Sequence, residues 1–201
     1  MKLAIILAIL LILIGGCSTV QESPSVPIIN TTHKISGTRE LVLNEQDLQQ
    51  LGMTEDINEQ DIQLFEITEG NCRTDEEYVN IVDSSQGQYS ICVYYILNDT
   101  QVIIELQKFA NLEALNGAYQ YDSSHYYSIE GIISENTFGD QSRFRVNNEQ
   151  DYGGEFNDPD VYFYHLWITK DKYLIHITSK GSKEAEEYIA KIGWRILSKF
   201  G

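Results

Sequence analysis

Two runs near the C-terminal end constrain the fold more than any other feature of the chain. Val161 to Ile168 and Lys172 to Ser179 are rich in aromatic and β-branched residues and flank a tight turn at Lys170-Asp171. So short a connection between two such runs predicts an antiparallel hairpin. With a two-residue turn there, paired positions add to a constant, and His165 falls directly opposite His176. Tyr162, Tyr164, Leu166 and Ile168 then share a buried face with Tyr173, Ile175 and Ile177. The histidines take the other face, with Phe163, Trp167 and Leu174.

Other segments extend this frame. Tyr89 to Leu97 alternates, with Ile91, Val93, Tyr95 and Leu97 on one face. Asn98-Asp99-Thr100 turns the chain, and Val102, Ile104 and Leu106 continue the pattern, which predicts a second hairpin with one buried face. Ile62 to Thr68 reads as a strand, and another short one is expected around Arg143 to Val146 after a turn at Gly139-Asp140. Helices are expected after Asn44, with acids in its first turn and a stop at Gly52, and after Asn111, fraying near Asp122-Ser123-Ser124. A third follows Ser182, where Ala185, Tyr188, Ile189, Ile192, Ile196 and Phe200 recur at helical spacing. Glu184, Glu186 and Glu187 sit near its positive end, and Arg195 and Lys199 near its negative end. Strands and helices come in blocks, which points to the α+β class: an antiparallel sheet with amphipathic helices packed on it.

The other end of the chain sets an address. Met1-Lys2 precedes an uninterrupted apolar run from Leu3 to Ile14. As a helix that run would rise roughly 18 Å, short of the ~30 Å hydrocarbon core, so it reads as a signal-peptide core and not a permanent span. Ile14-Gly15-Gly16-Cys17 resembles a lipobox, and by that likeness the start of the chain is similar to prokaryotic lipoproteins. The resemblance implies cleavage after residue 16, a diacylglyceryl group on Cys17, and a place on the extracytoplasmic face of a cell membrane. Two acyl chains supply the two hydrophobic signals that stable anchoring requires. Residues 17–34, with Ser23, Pro24, Ser25 and Pro27, read as a tether, and residues 35–201 as one domain.

A looser resemblance covers roughly Leu43 to Phe200. A hairpin, a helix opened by Phe109-Ala110-Asn111, the Gly139-Asp140-Gln141-Ser142 turn, a strong hairpin and a terminal amphipathic helix look like uncharacterised archaeal and bacterial lipoprotein domains. These are similar in architecture to the PsbP-like α/β/α sandwich. That likeness implies a binding or assembly role and transfers no active residues.

The formal net charge is −16, and loss of Lys2 with the signal would make it −17. Such a body is repelled by phosphate backbones and anionic headgroups, which argues against nucleic acid and against adhesion through basic patches. Of three cysteines, Cys17 is the lipid acceptor, and Cys72 and Cys92 remain as an even pair. Outside the cytoplasm they are expected to form a disulfide, worth ~3 kcal/mol in the chain-entropy view. The competing reading is two buried thiols.

Among candidate sites, His165 and His176 would hold their Cβ atoms within about 5.5 Å as facing residues. Two imidazoles so placed can share a metal such as zinc or repel one another when protonated, but no third ligand is evident. The acidic stretch Glu149, Asp151, Glu155, Asp158 and Asp160 offers oxygens of the kind calcium takes, without EF-hand spacing; a solvated loop is the simpler reading. Asn30 and Asn98 begin glycosylation sequons. Thirteen tyrosines fill half-buried faces, with Tyr119, Tyr121, Tyr126 and Tyr127 as a cluster that can line a groove. No nucleophile elbow, phosphate loop or zinc-protease helix occurs. The expectation is a membrane-anchored lipoprotein that binds an as yet unidentified ligand or protein without catalysis and without a resident cofactor. A metal- or histidine-dependent extracytoplasmic enzyme and an envelope-assembly subunit are the competing readings.

Overall fold

The computed structural model describes residues 34–55, 58–67, 71–79, 86–124, 131–147 and 160–201. A 3-10 turn, Thr38–Leu41, precedes helices α1 (Glu45–Leu51) and α2 (Glu59–Phe65). Strands β1 (Cys72–Val79), β2 (Gln86–Ile96) and β3 (Thr100–Lys108) come next, followed by helix α3 (Leu112–Ser124). Strands β4 (Ile132–Glu135), β5 (Gln141–Asn147), β6 (Tyr162–Lys170) and β7 (Tyr173–Gly181) lead to helix α4 (Ala185–Leu197). The strands form one seven-stranded sheet in the order β1-β2-β3-β7-β6-β5-β4, antiparallel at every pairing. This is the α+β architecture expected from strands and helices that come in blocks. Among the described residues no helix is long and apolar enough to cross a membrane.

Both faces of the sheet's centre are covered. On one, Cys92, Tyr94 and Ile96 of β2, Val102, Ile104 and Leu106 of β3, Leu166 and Ile168 of β6 and Ile175 and Ile177 of β7 join Ala185, Ile189, Ile192 and Ile196 of α4 in the larger core. Helix α4 packs tightly on the sheet at Gly193, where a Cβ would stand 2.9 Å from Leu166 Cδ2 and 3.1 Å from Ile168 Cδ1. Asp47 of α1 is fully buried against this layer; it pairs with Arg195 and, at 3.0 Å, with Lys199. Burial alone would raise its carboxyl, but the Asn44 amide, Lys199 and Arg195 outweigh that and hold it below the ordinary range. On the opposite face α3 lays Ala114, Leu115, Ala118 and Tyr119 over Phe109, Trp167 and Leu174.

Several expectations change. Ile62 to Phe65 belongs to α2 and not to a strand; Asn58 and Asp61 form a reciprocal capping box that starts a helix, and Glu66 ends it in the left-handed region at φ 53°. Its apolar residues Ile62 and Leu64 are exposed. The buried residues of β2 are not one alternate set: Ile91 and Val93 are buried on the α3 side, and Cys92, Tyr94 and Ile96 on the α4 side. Leu97 lies in the turn, at φ 54°, with Asn98 at φ 72°. Helix α3 continues through Asp122 to Ser124, with Ser123 fully buried, so Tyr119 and Tyr121 lie within it; Tyr119 is buried and Tyr121 exposed. Tyr126 and Tyr127 lie outside the described residues. Helix α4 begins at Ala185 after a turn, its N-cap being Glu184, and Ser182 accepts the Glu184 amide at 3.3 Å. Cys72 and Cys92 form the expected disulfide, linking paired positions of β1 and β2.

Candidate functional site

The hairpin of β6 and β7 turns at Asp171-Lys172, one residue later than expected, because Asp171 takes the left-handed conformation at φ 52° and Lys170 pairs with Tyr173. His176 therefore faces Trp167, and His165 faces Thr178. The paired positions slide by two in total, so each side chain keeps its face while the histidines become diagonal neighbours. They still meet: His165 Nδ1 lies 3.3 Å from His176 Nε2.

The third member comes from β3, which pairs with β7 so that Glu105 faces His176. Glu105 Oε2 is 2.9 Å from His176 Nδ1, and Glu105 Oε1 accepts the Tyr89 hydroxyl at 2.8 Å. A chain Tyr89–Glu105–His176–His165 thus crosses four strands on the α3 side of the sheet. Trp167 lies nearly parallel to both imidazoles, with centroids at 4.7 Å from His176 and 5.3 Å from His165. Arg145 of β5 stands opposite His165.

Burial dominates the electrostatics. His165 is 5% exposed, and desolvation, then the charges of His176 and Arg145, push its pKa down to about 3 against the opposing pull of Glu105. Burial by itself would raise the Glu105 carboxyl, but the hydrogen bond and charge of His176, then Tyr89 and His165, hold it below its ordinary value. Burial and the neighbouring Glu105 raise the Tyr89 hydroxyl above its usual range. His165 is therefore a neutral imidazole near pH 7, able to donate from one nitrogen only. With a proton on His176 Nδ1 alone, His165 Nδ1–H donates to His176 Nε2; with both His176 nitrogens protonated, the bond reverses direction. Chemically, this is an oriented imidazole pair on a carboxylate, able to hold or pass a proton.

Among the described residues no group of three His, Cys, Asp or Glu side chains is spaced to hold a metal ion. Glu149, Asp151, Glu155 and Asp158 lie outside the described residues, as do Cys17 and Asn30. Asn98 is exposed in the β2–β3 turn, while Thr100 of its sequon is buried and accepts the Ser182 amide at 3.0 Å.

Asp160 lines an open groove of about 880 Å³ at the β2–β3 turn end of the sheet. Its floor is a polar cluster that no sequence motif announces as a site. Asp61 is 4% exposed and accepts Tyr95 Oη–H and Gln101 Nε2–H, each at 2.7 Å, while Asn58 Nδ2 donates to Tyr95 Oη at 3.2 Å. Lys180, Lys183, Asp99 and Glu184 also line it. Lys180 stands 5.9 Å over the Phe163 ring and Lys183 6.0 Å over Tyr162. One signal in the sequence does mark Asp61, its place three residues after Asn58 as in a capping box. Glu105 is marked by being the one acid inside the alternating run from Val102 to Leu106. In comparisons with known proteins, no family model, no curated protein and no solved structure matches the chain.

Proposed function

We propose that the chain is an exported lipoprotein, anchored by a diacylglyceryl group on Cys17 to the extracytoplasmic face of a cell membrane. On this reading its α+β domain is a binding module for a ligand or protein partner. The address is supported by the Leu3 to Ile14 run, the Gly15-Gly16-Cys17 sequence and the Cys72–Cys92 disulfide, which suits an oxidising compartment. The observation that carries the binding role is the polar groove, where Asp61, Tyr95, Gln101 and Asn58 orient one another before any ligand arrives. Preoriented polar groups in an open concavity favour recognition at low ordering cost. The PsbP-like likeness of the element order agrees with a binding or assembly role.

Intact mass measurement of the protein taken from membranes tests the address. The expected product begins at Cys17 and carries the diacylglyceryl mass, and Cys17→Ser releases the chain from the membrane. An unmodified N-terminus on a cytosolic protein refutes the proposal. A second reading, a histidine-dependent enzyme, is favoured by the convergence of His165, His176 and Glu105. Stoichiometric zinc in the purified protein, lost together with a hydrolytic activity in His176→Gln, would establish that reading over the first.

A further inference from the structure

The two ends of the sheet differ in chemistry. At the end opposite the polar groove, the β6–β7 turn, the end of β3 and the first described residues enclose a largely apolar groove of about 660 Å³. Ile35 and Tyr173 are buried in its wall, and Leu112 is 56% exposed at its side. Lys34, Lys108 and Lys172 also line it, and Asp171 is the one carboxylate among the lining residues. The Lys108 and Lys172 ammonium groups donate to the carbonyls of Ser36 and Ala110. Those partners bear no charge to cancel theirs. A net positive, apolar-lined surface thus sits on a chain whose formal charge is −16.

Lys34 is also where the segment from Cys17 joins the domain. Seventeen positions separate Cys17 from Lys34, so the covalent reach is at most about 60 Å. The groove is lined by Lys34 itself, so it lies where the domain is nearest along the chain to Cys17. Resting on the lipoprotein reading above, we infer that this groove docks on the membrane itself, its lysines against anionic lipid headgroups and Leu112 toward the interface. Each lysine near an anionic surface favours docking by roughly fivefold, and an exposed leucine adds interfacial burial. Net charge argues against adhesion through basic patches for the body as a whole, but at this end the lining reverses the sign, and repulsion of the rest of the body by the same headgroups selects one orientation. Gln101 pairs with Lys180, seven positions along β3 from the Lys108–Tyr173 pair, so the polar groove is held ~24 Å farther out, facing away from the bilayer.

The test reconstitutes the full lipidated protein in vesicles of phosphatidylcholine with or without about 30% phosphatidylglycerol, the anionic component that a lysine patch reads. A fluorophore is placed at Leu112→Cys in one sample and at Asp99→Cys in another, and quencher lipids carry nitroxide in the headgroup region. Mass measurement of the same preparation establishes the lipid on Cys17. The expected result is quenching at position 112 and not at 99, in anionic vesicles only, relieved by high salt. Lys34→Gln with Lys108→Gln and Lys172→Gln should weaken docking on the order of a hundredfold and bring quenching at 112 down to the level at 99. The wild-type salt titration separates the same outcomes should the triple variant fold poorly. A lipidated sample with equal or no quenching at the two positions overturns the docking and leaves the anchor standing. A fluorophore at 112 already shielded without vesicles, or equally quenched in neutral lipid, overturns it too. An unlipidated chain in the membrane preparation overturns both.

Discussion

The two faces of the central strands are made from alternate residues of the same segments, yet they are built on different principles. Toward α4 the strands present Val102, Ile104, Leu106, Leu166, Ile168, Ile175 and Ile177, all 2% exposed or less. Toward α3 the interleaved positions present Glu105, His165, Trp167 and His176, joined by hydrogen bonds and ring stacking. An aliphatic layer stabilises through area and tight packing, tolerates no void, and is indifferent to protons. A buried polar layer depends on complete partnering and on the protonation state of its members. The contrast locates conformational stability on one side and chemical responsiveness on the other.

The largest effect should come from the aliphatic side. Leu166→Ala removes contacts to both α4 and the strands and should cost about 3–5 kcal/mol in urea denaturation, with no change in the pH dependence of the midpoint. Asp47→Asn loosens the clamp that holds α1 to α4. Its cost should be about 2–3 kcal/mol, below that of a fully buried pair because the Arg195 side chain is 37% exposed and regains water. The Asp47 carboxyl is depressed in the fold, so its contribution is complete above the unfolded value and vanishes as pH falls through the folded one.

On the polar side, Glu105→Gln keeps the shape but removes the charge under His176, for an expected loss of about 1–3 kcal/mol, measurable in the same denaturation series. The smallest effect is the most diagnostic. His165 has a folded pKa of about 3 against 6.5 in the open chain, so the unfolded state binds more protons between those values. Stability should be constant above about pH 7 and fall on acidification, by about 1 kcal/mol between pH 7 and 5.5. His165→Gln should flatten that slope while Leu166→Ala retains it. Equal slopes in all three proteins would abolish the proposed division between the faces.

Much of this is legible in alternation. The β6 and β7 runs, the return through Val102, Ile104 and Leu106, and the caps at Asn44 and Asn111 follow from local period and chemistry. Strands β1 and β4 are not legible in that way: Cys72–Val79 carries charges along its length, as edge strands do, and shows no apolar period. Ile62 to Phe65 misleads because the alternation of Ile62, Gln63 and Leu64 is too short to tell a strand from a helix, and the deciding box at Asn58 and Asp61 lies just upstream. At the site, the histidines share a face because side chains alternate, a property that survives a slip of two. Glu105 stands out as the one acid in its run, but its partner escapes a sequence reading because it is set by the pairing of β3 with β7, which no local pattern encodes.

That pairing has a consequence for how the molecule is made. Seventy-one positions separate Glu105 from His176, and β7 is the last strand in the chain. While the chain emerges from the N-terminal side, the first hairpin must wait with a bare ladder edge at β3 until the second arrives, the kind of long-range closure that folds slowly and invites intermolecular pairing. The carboxylate–imidazole bond forms only when that seam shuts. It would therefore serve as a reporter of completed assembly, and a chain stalled before Tyr173 would present an open, aggregation-prone half-sheet.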